Sequence, residues 1–70
     1  MSDSRQEISE EIRKREKMMA DRMAAYHRSM EKFASNGNPD DQEDANRSIN
    51  VWLKLKDEVT ELKKYLSELE

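Results

Sequence analysis

Ser35-Asn36-Gly37-Asn38-Pro39-Asp40-Asp41 decides the fold. The stretch sits near the middle of 70 residues and holds the only glycine and the only proline of the chain. Gly37 can take the left-handed conformation that ends a helix. Asn38 can cap the next helix, and Pro39 suits a first helical position. Asp40, Asp41 and Glu43 then face the positive end of the new helix dipole. A stop and a restart so close together predict two helices of similar length, folded back on each other. A loop of about four residues leaves antiparallel neighbours as the only arrangement. The chain is therefore expected to be all-α: one domain with a helix over 4–35, a turn over 35–38 and a helix over 39–69.

Working back from the turn, apolar residues recur at Phe33, Met30, Tyr26, Met23, Met19, Ile12 and Ile8. The steps from Phe33 to Ile12 alternate three and four if Glu16 is counted as a polar member. That is the 3.5-residue repeat of coiled-coil packing. Ser4 with Glu7 three positions on reads as a capping box. Glu10–Lys14 and Glu11–Arg15 have the favourable four-residue orientation. Working forward, the second seam is Ala45, Trp52, Leu55, Val59, Leu62, Leu66 and Leu69, with Ile49 beside it. Counting outward from the loop sets Met30 near Ala45, Tyr26 near Ile49, Met23 near Trp52, Glu16 near Val59 and Ile12 near Leu62.

Composition narrows the functional class. The chain is 41% charged and 34% hydrophobic, with no cysteine. Its mean hydropathy is −1.20. Periodicity of the apolar residues is what separates such a chain from a disordered one. Residues 1–35 carry eight Lys/Arg against seven Asp/Glu, and residues 36–70 carry five against nine, for a net charge of −3. Neither half makes a phosphate-binding surface by default. No apolar run approaches membrane-spanning length. The polar N-terminus lacks the apolar stretch of a signal peptide, so a cytoplasmic location is expected.

Catalytic chemistry has no setting here. There is no thiol, and the serines fall in caps or on helix faces. His27 and Glu31 at four-residue spacing offer two metal ligands, too few for a site. The acidic residues 40–44 lack the spacing of a calcium loop. One glycine excludes a glycine-rich phosphate loop. Asn46-Arg47-Ser48 matches a glycosylation acceptor but falls within a helix. No catalytic, cofactor-binding or metal-binding residue is assigned.

What remains is side-chain stripes. Two helices in contact along one seam bury each apolar residue only in part. Meanwhile Val51, Leu53 and Tyr65 widen the stripe of the second helix beyond one partner's reach. Met18, Met19, Met23 and Met30 form an adaptable stripe that also reads as ordinary core. The expected function is a non-enzymatic protein–protein interaction module: an adaptor, small chaperone or inhibitor. Its partner is a second copy, completing a four-helix bundle, or a helix of another protein. Ile49, Val51, Trp52, Leu53, Tyr65, Met19 and Met23 are the candidate interface. Arg13, Lys14, Arg15 and Lys17 form a basic block that an RNA-binding Rop-type bundle could use. Glu10, Glu11, Glu16 and Asp21 interleave it, which favours a solvated face. Small-molecule substrates and membranes are not expected partners.

Pro39, with Ile49-Asn50-Val51-Trp52 ten residues on, resembles the corresponding stretch of type III secretion needle subunits. Those are short helical hairpins with a Pro-containing turn and an Ile-Asn-x-Trp segment, and they have small helical-hairpin chaperones. The resemblance spans residues 39–52. It implies polymerisation, or escort of such a subunit, with Ile49, Asn50 and Trp52 at subunit contacts. Ser67-Glu68-Leu69-Glu70 is charged where needle subunits are apolar.

Overall fold

The computed structural model describes residues 4–69 and contains two helices, α1 (Ser4–Asn36) and α2 (Pro39–Leu69). They pack along their whole length into a rod of 54 × 16 × 12 Å. Thirty-three helical residues at about 1.5 Å each account for that long axis.

The turn is built as its residue types predict, and it is tighter than expected. Ser35 and Asn36 stay in α1, so only Gly37 and Asn38 are non-helical. Gly37 has φ 66°, and its N–H donates to the Phe33 carbonyl at 2.7 Å. A Cβ added at Gly37 would meet nothing within 4 Å, so the left-handed backbone alone calls for glycine. Asn36 Oδ1 accepts from the Asn38 N–H at 2.8 Å. Asn38 caps α2: its Oδ1 accepts from the Asp40 N–H at 3.0 Å and its carbonyl from the Asp41 N–H at 3.0 Å. Pro39 occupies the first helical position. At the far end α1 begins at Ser4 itself. Ser4 is thus already helical, and the capping box expected of Ser4 and Glu7 is not seen in the described part of α1.

On α2 the buried and half-buried positions include Asp41, Ala45, Ser48, Trp52, Leu55, Val59, Leu62 and Leu66. Their steps alternate four and three without a gap, and Ser48 fills the slot that the apolar pattern leaves vacant. Leu69 continues the alternation but is 40% exposed. On α1 the inward positions include Ile8, Ile12, Arg15, Met19, Met23, Tyr26 and Phe33. Arg15, not Glu16, stands between Ile12 and Met19. Two successive four-residue steps, 15 to 19 to 23, let the seam follow a nearly straight helix there instead of a strict 3.5 repeat. Met30 is also displaced from the seam: it is exposed, and Ser29 turns inward beside it.

Two cross-helix ion pairs among the described residues report the register. Arg15 Nε donates to Glu58 Oε2 at 3.1 Å, and Lys63 Nζ to Glu16 Oε2 at 3.5 Å. Pairing 15 with 58 and 16 with 63 brackets the expected register, in which facing residue numbers add to about 75.

Candidate interaction surface

The core is thin. Among the described residues, Ile12, Ala45, Leu55 and Val59 are the buried apolar ones, Ser48 is buried with them, and no large side chain is fully enclosed. Accessible area measures the consequence. The chain exposes 5486 Å², against about 4,600 Å² for a globular monomer of 8.3 kDa. The excess of about 900 Å² is spread over the rod, whose 54 × 16 × 12 Å shape carries more surface than a compact globule of the same mass.

The ion pairs mark the two open flanks of the seam. Trp52 lies on the flank of Glu16 and Lys63, half-buried under a cation–π contact from Lys56 Nζ, 5.4 Å from the ring centroid. The other flank carries Arg15 and Glu58. Here Arg15 is held between two carboxylates, since Nη1 also donates to Glu11 Oε2 and to the Glu11 carbonyl. Lys14 Nζ lies 3.7 Å from Glu11, one position along from its expected partner Glu10. The hydrogen bond from Arg15 and the charge of Lys14 hold the Glu11 carboxyl below the usual carboxylate range. Hydrogen bonds to Glu11 and Glu58 push the Arg15 guanidinium above its ordinary value.

On this second flank α2 shows a further heptad. Val51, Leu55, Glu58, Leu62, Tyr65 and Leu69 follow one another in steps of four and three. They share Leu55, Leu62 and Leu69 with the inner seam and add an outer edge. Val51 is 37% and Tyr65 52% exposed, and Leu69 is exposed as well. Beside this stripe lies a shallow open groove of about 400 Å³, lined by Arg15, Asp57, Glu58, Glu61 and Leu62. Met18, three residues from Arg15, is an exposed apolar residue at the α1 margin. The groove is formed where long charged side chains stand up around Leu62.

The candidate interface residues divide. Met19, Met23, Ile49 and Trp52 are half-buried and belong to the packing of α1 on α2. Val51 and Tyr65 lie on the outer stripe. Leu53 does not join them: two residues from Val51 is about 200° around a helix, which points it to the opposite side. It stands exposed there. Among the basic block, Arg13, Lys14 and Lys17 are exposed, whereas Arg15 is half-buried and engaged across the hairpin.

Other clusters are accounted for locally. Glu43 and Asp44 pair with Arg47 Nη2 at 3.2 Å and Nη1 at 3.9 Å. His27 is exposed with its ring edge-on to Tyr26, centroids 5.5 Å apart. Among the described residues, no group of three or more His, Cys, Asp or Glu is placed to hold a metal ion. Nor is any helix long and apolar enough to cross a membrane. Neither Arg15's role nor the inward Ser48 is legible from apolar spacing. The gap between Ala45 and Trp52 is the one signal that could have found Ser48.

No protein-family model matches the chain, and neither a curated protein nor a solved structure matches it.

Proposed function

We propose that this protein is a non-enzymatic interaction module, a helical hairpin that works by offering the outer stripe of α2 to another helical surface. The observation that carries the reading is the exposed apolar heptad on one flank of a thin core, where Val51, Tyr65 and Leu69 stand open to solvent. A thin core ties stability to association, because a partner that binds only the folded hairpin stabilises it by mass action. Adaptor, small chaperone and inhibitor are all roles that such a surface serves. The engagement of Arg15 with Glu11 and Glu58 counts against the basic block acting as an RNA-contacting stripe.

Thermal unfolding followed by circular dichroism across a wide concentration range tests the reading. The midpoint is expected to rise with protein concentration. A cooperative transition whose midpoint ignores concentration would overturn self-association. If, in addition, no helical partner raised that midpoint, the interaction reading itself would fall.

A further inference from the structure

We infer that the occupant of the outer stripe is a second copy of this chain, docked with α2 antiparallel to α2 about a two-fold axis near residue 60. The inference rests on the interaction reading above and supplies its partner and geometry.

The stripe is self-complementary when reversed. With the axis between Glu58 and Leu62, Val51 faces Leu69 of the second copy, Leu55 faces Tyr65, and Glu58 faces Leu62. Each contact occurs twice, as a two-fold interface requires. The groove beside Leu62 lies at the level of the axis, so Leu62 of the second copy enters it. The stem of Arg15, fixed by Glu11 and Glu58, forms its wall.

Charge selects this orientation. Lys54, Glu61 and Glu68 each precede a stripe residue by one position and line its outer edge, all exposed. Lys54 and Glu68 lie fourteen residues apart, about 21 Å along one helix, so they cannot pair within a chain. Neither forms an ion pair among the described residues. In the antiparallel dimer Lys54 of each copy meets Glu68 of the other, giving two attractive pairs of the kind that sets partner orientation in coiled coils. Glu61 meets its own counterpart near the axis, a single like-charge contact.

That pattern is tested by charge exchange, read as a dimer dissociation constant by sedimentation velocity at low salt. Lys54→Glu and Glu68→Lys each turn both attractive pairs into repulsive ones and are expected to weaken the dimer about tenfold. An equimolar mixture of the two variants restores both pairs in the heterodimer and is expected to regain wild-type affinity. The double variant K54E/E68K regains it alone, and Glu61→Gln tightens the dimer. Rescue by mixing also excludes misfolding as the cause of weakness in either single variant. A wild-type dimer whose affinity ignores these exchanges would overturn the geometry and leave the interaction module standing. A wild-type chain that stays monomeric overturns the second copy as partner. If it also shows no partner-dependent midpoint, the module fails with it.

Discussion

Leu53 and Leu55 are two residues apart, chemically identical, and placed in opposite environments. Leu55 is 7% exposed at the seam, Leu53 47% exposed on the far side of α2. Truncation of each to alanine separates burial from composition, because both changes carry the same small gain in helix propensity. A buried Leu→Ala substitution costs roughly 3–5 kcal/mol in a closed core. The seam here is one layer deep and open at its flanks, so neighbours and water fill the gap, and about 2–3 kcal/mol is the expected loss. Leu53→Ala removes surface that is already half wet and is expected to cost under about 1 kcal/mol. At roughly 4–8 °C per kcal/mol for a domain of this size, Leu55→Ala lowers the midpoint by about 10–20 °C and Leu53→Ala by a few degrees. Melting followed at 222 nm, with all chains at one fixed concentration, measures both. Equal losses, or a larger loss at Leu53, would refute the assignment of the inward face and with it the outer stripe.

Other perturbations address the turn and the ion-pair network. Gly37→Ala forces a side chain into the left-handed region and is expected to cost about 1–2 kcal/mol although the site has space; urea denaturation reads this, and a neutral result would sink the turn geometry. Asn38→Ala removes the cap of α2 for about 1 kcal/mol, while Asn38→Asp, which keeps the accepting oxygen, retains stability. Glu11 has a lowered pKa in the folded state, so its contribution is present above the ordinary carboxylate pKa and is lost as pH falls through the lowered value. Glu11→Gln is therefore expected to flatten the acid limb of stability against pH while leaving its form above pH ~6 unchanged; an acid limb identical to wild type contradicts the Arg15–Glu11 assignment.

The hairpin was legible because its turn is made of residues with single, strong backbone preferences. Gly37 needs the left-handed region, Asn38 accepts from the first free amides, and Pro39 cannot donate a hydrogen bond. These local rules fixed the stop, the restart and, through loop length, the register. The face of α2 was legible for the same kind of reason: from Ala45 to Leu66 the apolar steps hold one phase. On α1 the phase was misjudged at two slots: Met30 is exposed with Ser29 inward beside it, and Glu16 gives way to Arg15. Counting apolar residues made Glu16 the seam member, whereas the aliphatic stem of Arg15 fills that position and carries its charge out to Glu58. Spacing rules see residue type and miss how far a long side chain can reach. The division of Val51 and Tyr65 from Leu53 lay in the spacing itself, since two residues are about 200° of helix turn, and counting all three as widening one stripe passed over it.

Molecular mass in solution by multi-angle light scattering, from micromolar to millimolar concentration, decides whether a second α2 covers the outer stripe. The mass is expected to move from one chain of 8.3 kDa toward twice that value and stop there. A single-chain mass throughout, or growth without limit, contradicts it.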